Sequence, residues 1–204
     1  MYCMRVIAGR HRGRRLIAPR GASTRPVTDR AKETIFNVLA RRVGEPGRLP
    51  PVDVLDLFAG SGGLGIEALS RGARGCVFVE RDRRAARALR ENLTVLKLGP
   101  IACVRIENAW TMRFPQASAG FGLVFVDPPY ADAEDDVAVT DLLDRLAPRV
   151  AADGVVVFRY EASVARSFEA LRGLWPWDQR AIGKMWLAFL SPHAPAEAPA
   201  PAAT

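Results

Sequence analysis

The amino-acid sequence predicts an α/β fold, a Rossmann-like domain with a mostly parallel sheet. From residue 52 onwards, short apolar runs that suit buried strands alternate with segments of helical periodicity. A glycine-rich turn follows the first of these strands, as it does in nucleotide-binding folds. Hydrophobic residues make up 49% of the 204 residues and charged residues 25%, the balance of a globular domain with a core. Repeated strand–helix units of this size place helices on both faces of the sheet.

The predicted elements follow in order from the N-terminus. Residues 3–8 and 14–18 are short β-like runs joined by an arginine-rich turn, which predicts a hairpin. Thr28 or Asp29 can cap a helix that ends before Gly44. Further strands are expected at 52–57, 75–80, 102–106, 123–126, 154–160 and 185–190, and helices from the glycine turn to about 71, at 82–98, at 137–146 and near 162–172.

The positive charge is concentrated in the first quarter of the chain. The whole chain carries +7, whereas residues 1–50 carry twelve basic against three acidic side chains. A basic extension on a near-neutral body predicts a surface that binds a polyanion. Arginine suits bidentate phosphate contacts, and the phosphate-contact candidates are Arg10, Arg12, Arg14, Arg15 and Arg25. We therefore expect an extension at 1–50 that binds a polyanion such as RNA, an α/β domain at 51–191 and a disordered Ala/Pro tail at 192–204.

Several classes of protein are disfavoured by the composition. The sequence contains no run of about 18 uncharged apolar residues, so no membrane span is predicted. The first apolar run is too short for a signal peptide. The three cysteines are scattered and only two histidines occur, so neither a metal site nor a disulfide framework is expected. The sequence therefore predicts a cytoplasmic protein without a metal.

The glycine-rich turn predicts an adenosine-containing cofactor. Its Gly60-x-Gly62-x-x-Gly65 pattern lets backbone approach a ligand at a helix N-terminus, and Glu80, twenty residues on, can accept hydrogen bonds from a ribose. NAD has the same requirements. Asp56 distinguishes the two cofactors, because a carboxylate beside the turn repels a pyrophosphate and favours the ammonium and sulfonium of S-adenosylmethionine.

Asp127-Pro128-Pro129-Tyr130 is the predicted catalytic motif. It ends a buried-looking strand, and ligand sites in such folds lie at the carboxyl ends of strands. An exocyclic base amine is a poor nucleophile because its lone pair is delocalised. Hydrogen bonds from its N–H groups to Asp127 and the Pro128 carbonyl would aim the lone pair at a methyl group, while Tyr130 stacks on the base. Asp127 can act as a base or only as an acceptor.

Together, the motifs resemble the bacterial 16S rRNA (guanine(966)-N(2))-methyltransferase family. The resemblance includes 9–16, 25–39 and 64–73 beside the two motifs and covers residues 4–190. It implies a seven-stranded sheet whose last strand is antiparallel, a monomer, and methylation of a guanine N2 amine in 16S rRNA or an assembled small subunit. The cofactor-binding residues that it implies are Asp56, Phe58, Gly60, Ser61, Gly62, Glu80, Arg81, Asn108, Ala109, Thr28 and Lys32.

Two residues depart from the family pattern, and two alternative functions remain open. Asn108 stands where the family often has an acidic residue, and Val27 where a threonine is usual. A DNA adenine-N6 or cytosine-N4 methyltransferase would use the same amine chemistry. A non-catalytic RNA-binding assembly factor with a vestigial cofactor pocket is the other alternative, although the intact motifs disfavour it.

Overall fold

A single seven-stranded sheet forms the centre of the molecule in a computed structural model, which describes residues 4–18, 27–43, 47–162 and 165–193. The strand order is β3-β2-β1-β4-β5-β7-β6. β7 pairs antiparallel with both neighbours, and every other pairing is parallel, so the predicted fold class is confirmed. The strands are β1 (Asp53–Leu57), β2 (Gly75–Val79), β3 (Ala102–Arg105), β4 (Phe121–Val126), β5 (Val150–Glu161), β6 (Trp175–Ile182) and β7 (Met185–Ser191).

Helices cover both faces of the sheet. They are α1 (Asp29–Val43), α2 (Gly65–Arg71), α3 (Arg83–Val95) and α4 (Asp136–Leu146). The first three contribute to one hydrophobic cluster and α4 to a second. Alternate residues of the central strands enter the two clusters, as the two-residue repeat of a strand requires: Val54 belongs to the first and Leu55 to the second.

The N-terminal hairpin (residues 4–18) packs onto the domain. One antiparallel bridge, Arg5 with Arg15, joins its two arms, and Gly9–His11 forms a 3₁₀ turn between them. Met4, Val6 and Leu16 are buried in the first hydrophobic cluster. The hairpin was predicted, and the structure adds that it shares a core with α1, α2 and α3.

The predicted helix near 162–172 is wrong, since the described part of that segment contains only turns and irregular backbone. Two of its amide groups bond to side chains of other elements, and the Leu171 amide bonds to the Phe168 carbonyl in a turn. The Arg166 amide donates to the Tyr160 hydroxyl at 2.9 Å, and the Arg172 amide donates to Asp144 Oδ1 at 2.9 Å. These tertiary hydrogen bonds satisfy the backbone without a helix.

β6 was not among the strands assigned from the sequence. It is an edge strand, so Pro176, which has no backbone N–H, does not remove a hydrogen bond between central strands. The register with β7 shifts between Pro176 and Asp178. Its residues are only partly buried, so it lacks the apolar run that identifies central strands.

Two predictions fall outside the described residues: Arg25 and, from residue 194 onwards, the tail. No helix in the described ranges is long and apolar enough to cross a membrane.

Candidate active site

Strand register brings the predicted motifs together at the carboxyl edge of the sheet. Leu57 pairs with Val126, so the glycine turn after β1 lies beside the residues that follow β4. Val126 also pairs with Phe158, which places Asp127 next to Arg159 of β5. Glu80 follows β2 directly on the other side of β1. The ends of four neighbouring strands therefore converge on one site.

The three glycines of the turn have different surroundings. Gly60 has a φ of 55°, and a Cβ added there would meet nothing within 4 Å. A Cβ on Gly62 would lie 2.5 Å from Leu89 Cδ1, and one on Gly65 would lie 2.3 Å from Phe78 Cε1. Gly62 and Gly65 thus permit close packing of α2, whereas Gly60 borders open space into which a ligand can fit.

Glu80, at the end of β2, stabilises the glycine turn by a hydrogen bond. Its two carboxylate oxygens accept the Gly60 amide at 2.8 Å and the Asp82 amide at 2.7 Å. Ser61 is held from the opposite side, because Asn92 Nδ2 donates to its carbonyl at 3.0 Å. Carboxylate oxygens have further lone pairs, so Glu80 retains acceptor capacity for a ligand hydroxyl.

Asp56 is a buried carboxyl group without a cationic partner among its described contacts. It is 1% exposed, and its Oδ2 accepts the Gly65 amide at 2.8 Å. Burial raises the pKa of Asp56 to about 8, and the negative charges of Asp127 and Glu80 act in the same direction. At neutral pH this group is therefore mainly protonated until a positive charge comes near it.

Phe58 adopts a strained backbone at the end of β1. Its φ is 61°, in the left-handed region that non-glycine residues enter at a cost of about 1–3 kcal/mol. The ring packs against Trp110 with the centroids 5.2 Å apart. Asn108 Oδ1 accepts the Trp110 amide at 3.1 Å, which holds the loop after β3 in place, and Ala109 is buried beside it.

Asp127 forms an ion pair with Arg159, a residue that was not predicted. The two side chains are only 11% and 8% exposed, and Arg159 Nε donates to Asp127 Oδ1. Burial raises the pKa of Asp127, and the neighbouring guanidinium opposes that rise. The guanidinium also lies 5.7 Å from the centre of the Tyr130 ring. Arg159 therefore contacts two of the four predicted catalytic residues.

Asp132 links three loops at the rim of the site. Its Oδ2 accepts Arg81 Nη2 at 3.2 Å and Trp110 Nε1 at 3.3 Å. These contacts join the segments after β2, β3 and β4. The predicted cofactor residue Arg81 is exposed and points to this carboxylate.

Thr28 and Lys32 lie at the start of α1, and Lys32 approaches the glycine turn, since a Cβ on Gly63 would lie 3.9 Å from its Cε. Thr28 Oγ1 accepts the Ala31 amide at 3.2 Å at the start of α1. Lys32 is 0% exposed, and its Nζ donates to the Arg5 carbonyl at 2.7 Å. Burial lowers the pKa of Lys32. Lys32 therefore joins α1 to the hairpin, whereas Thr28 caps α1.

The hairpin presents its predicted RNA-binding arginines to solvent. Arg10, Arg12, Arg14 and Arg15 are exposed, and none takes part in an ion pair within the described ranges. The turn between them is fixed to α2, since the His11 amide donates to Ser70 Oγ at 3.0 Å.

The chemistry of the site suits an organic ligand with a positive charge. Asp56, Glu80 and Asp127 make its strand ends acidic, and Gly60 borders open space. A pyrophosphate would be repelled by Glu80, whereas a sulfonium or ammonium would be attracted by Glu80 and would favour the ionised form of Asp56. Within the described ranges, no group of three or more His, Cys, Asp or Glu side chains could hold a metal ion.

Comparisons with known proteins identify relatives of the whole domain. The family model described as conserved hypothetical protein 95 matches residues 4–191. YlbH of Bacillus subtilis, named as a candidate rRNA methyltransferase, is 42% identical over 163 residues, 79% of this chain and 84% of that protein. The ribosomal RNA small subunit methyltransferase D of Escherichia coli is 43% identical over 128 residues, 62% of this chain and 60% of that protein.

A solved structure shows the same fold. A candidate methyltransferase of Escherichia coli, yhhF, superposes with a TM-score of 0.73 at 31% identity and covers 95% of this chain and 99% of its own. The similarity therefore extends over the hairpin and the sheet together.

Proposed function

The chain belongs to the family described as conserved hypothetical protein 95, and on that premise we propose that it methylates the N2 amine of a guanine in 16S rRNA, with S-adenosylmethionine as donor. The observation that carries this proposal is the placement of Asp127, paired with Arg159, beside the glycine turn. The names of the relatives support rRNA of the small subunit as the substrate.

The residues at the strand ends fit the cofactor. S-adenosylmethionine, when bound, supplies an electrophilic methyl group on a sulfonium. Gly60 leaves room for it, Glu80 would accept from ribose hydroxyls, and Asp56 would gain a cation near its buried carboxyl group. Phe58, Ser61, Gly62, Asn108 and Ala109 would line this space, with Arg81, Thr28 and Lys32 farther out.

Asp127 acts in this mechanism as an ionised hydrogen-bond acceptor. Arg159 occupies Oδ1, which leaves Oδ2 and the Pro128 carbonyl to accept the two N–H groups of a guanine amine. These two bonds draw the amine out of conjugation and orient its lone pair. Burial raises the pKa of Asp127 and the guanidinium of Arg159 opposes that rise; in the proposed mechanism the ionised form orients the amine, and water takes the proton after transfer.

Tyr130 holds the plane of the target base. The two prolines before it fix the direction in which the chain leaves β4, and Arg159 lies near the ring. Stacking on an aromatic ring contributes about 1–3 kcal/mol per base. Tyr130 therefore compensates part of the cost of unstacking the guanine.

The hairpin arginines are the proposed contacts to rRNA phosphates. Such a short arm suits a pre-folded target, so we propose that the substrate is an assembling small subunit in the cytoplasm and that the enzyme acts as a monomer, without a metal or a membrane. The hairpin can bind RNA without forming a separate domain, because its buried residues belong to the same hydrophobic cluster as α1, α2 and α3.

The decisive experiment is transfer of a labelled methyl group to small ribosomal subunits from cells that lack the gene. We expect one labelled guanine, which mapping of the modified base would identify as N2-methylguanine. Duplex DNA and large subunits serve as controls. Labelling of DNA but not of rRNA, or failure to bind S-adenosylmethionine in calorimetry, would contradict the proposal.

A further inference from the structure

Four arginines form an exposed patch on α3 that the mechanism does not use. Arg83, Arg84, Arg87 and Arg90 all project from the solvent side of the helix. None of them forms an ion pair in the part of the chain that the structure describes. The opposite side of α3 is buried through Ala85, Leu89 and Leu93, among others. We call these four arginines the α3 patch.

The α3 patch is unfavourable for the helix itself. Arg83 and Arg84 lie in the first turn, where the positive end of the helix dipole repels cations and only the N-cap carboxylate of Asp82 offsets that repulsion. Arg83 and Arg87, four residues apart, are like charges on one side of the helix. A local arrangement that opposes stability in this way indicates a functional requirement.

The α3 patch lies at the same edge as the active site. α3 begins three residues after Glu80, so its first turn is at the carboxyl edge of the sheet. Arg90 lies about 10 Å farther along the helix axis than Arg83, at 1.5 Å per residue. The patch therefore leads from the site along the outer surface of the domain.

A buried asparagine joins α3 to the basic hairpin. Asn92 Oδ1 accepts the Ile17 amide at 2.8 Å, and its Nδ2 donates to the Ile17 carbonyl at 3.0 Å. Asn92 is 2% exposed. The end of the hairpin is thus fixed beside α3, and the two sets of arginines belong to one face of the molecule.

One segment on the other side of the sheet has the opposite charge. The hairpin contains five arginines and no acidic residue, a net charge of +5. Residues 130–146, which include α4, contain six carboxylates against one arginine, a net charge of −5. The two segments pack into different hydrophobic clusters on either side of the sheet. A polyanion is therefore attracted by the hairpin and repelled by the segment 130–146.

From these observations we propose that the α3 patch is a second RNA-binding surface, which binds phosphates of the substrate rRNA beyond those at the hairpin. The inference rests on the proposed function for the identity of the RNA. Exposed and unpaired arginines can form bidentate phosphate contacts, and their position extends the hairpin surface away from the site. RNA that lies along this face would then be held at the hairpin and at α3 at once.

The test compares two double variants with the same change in charge. Arg87→Gln with Arg90→Gln alters the α3 patch, and Arg113→Gln with Arg172→Gln alters exposed arginines beside the second cluster. Binding of small ribosomal subunits is measured over a range of salt concentrations without cofactor. For the α3 variant we expect about tenfold weaker binding and a salt slope smaller by about one per arginine. The control should keep the wild-type slope.

Turnover and stability provide further measurements. The α3 variant should keep its kcat at saturating subunits and raise KM. Its thermal midpoint should be unchanged or higher, because repulsion within α3 is removed and Gln has a similar helix propensity. Equal salt slopes for the two double variants would overturn the inference.

A protein partner would give another pattern. If the α3 variant bound assembled subunits more weakly but bound protein-free 16S rRNA like the wild type, the patch would contact an acidic protein, and the inference would be wrong. If the wild type bound rRNA but transferred no methyl group, the proposed function would fail while this comparison still held.

Discussion

The carboxyl ends of β1 and β4 lie side by side, and each carries a buried aspartate. Asp127 of the β4 end is paired with Arg159, whereas Asp56 of the β1 end accepts only the Gly65 amide and lies near two other carboxylates. Burial raises the pKa of both groups, but only Asp127 has a guanidinium that opposes the rise. Two similar side chains are thus held in different electrostatic states.

This difference separates two tasks. Asp127 carries its counter-ion within the fold, so it can accept hydrogen bonds from a neutral amine at any stage of the reaction. Asp56 has no such partner and becomes charged when a cation arrives from outside the protein. In the proposed mechanism the end of β4 is therefore preorganised for the base, and the end of β1 responds to the cofactor.

The largest expected effect comes from removal of the preorganised acceptor. Asp127→Ala should lower kcat by about 10²–10³-fold, by analogy with the loss of one preorganised hydrogen-bonding group. Cofactor affinity should change little, which calorimetry can check. Asp127→Asn keeps an acceptor oxygen and should retain more activity than the alanine variant. Equal rates for Asp127→Ala and wild type would remove the proposed mechanism.

A smaller effect is expected when the counter-ion is removed. Arg159→Gln leaves Asp127 buried without a cation, so the pKa of Asp127 rises further and its ionised form is lost at a higher pH. We expect kcat to fall by about 10–100-fold, and the acid limb of the kcat–pH profile to move to higher pH. Arg159→Lys should restore part of the activity and most of that shift.

Stability must be followed in parallel, because an unpaired buried carboxylate destabilises the fold. The double variant Asp127→Asn with Arg159→Gln contains no buried charge at this position and serves as the folding control. If Arg159→Gln had a thermal midpoint near wild type and an unshifted pH profile, Arg159 would not position Asp127.

The smallest expected effect concerns the β1 end. Asp56→Asn should weaken binding of S-adenosylmethionine by about tenfold, because the bound cation loses the carboxylate beside it. This loss corresponds to about 1.36 kcal/mol of binding free energy, the equivalent of one pKa unit. At pH 7 the wild-type Asp56, with a pKa of about 8, should release a proton when the cation binds. Calorimetry in buffers of different ionisation enthalpy measures this release. S-adenosylhomocysteine, which lacks the sulfonium, should release less, and the variant none.

The same group links stability to pH in the unliganded protein. Because the folded-state pKa of Asp56 is raised from 3.8 to about 8, its contribution to stability is complete below pH 3.8 and is lost as the pH rises through 8. Asp56→Asn lacks this titration, so its thermal midpoint relative to wild type should increase over that range. An identical pH dependence in both proteins would contradict the proposed protonation of Asp56.

The sequence could predict the residues at strand ends because their types are unusual where they occur. Asp56, Glu80 and Asp127 each adjoin an apolar run, and parallel strands bring such ends to one edge. That reasoning predicted which motifs would meet. It did not predict Arg159, although an arginine between Phe158 and Tyr160 in a buried strand was a visible anomaly. Arg159 meets Asp127 because β4 pairs with β5, and the spacing of the motifs in the sequence does not reveal that pairing.

Other features depended on tertiary contacts. The segment near 162–172 has helical periodicity, but acceptors on β5 and α4 bind its amides. β6 contains a proline and lacks an apolar run, so only its pairing with β7 identifies it. The docking of the hairpin requires the carboxylate of Glu67, which is 0% exposed and accepts the Ile7 and Ala8 amides at 2.8 and 3.0 Å.

The attachment of the hairpin has a consequence for synthesis of the chain. Its partners Glu67 and Asn92 lie 60 and 75 residues farther along from the hairpin residues that they bind. At about 5–20 residues per second, the ribosome needs roughly 3–15 s to add that length. During this interval the five arginines of the nascent hairpin have no α2 or α3 to dock on. The hairpin therefore waits for segments made after it before it can reach its native place.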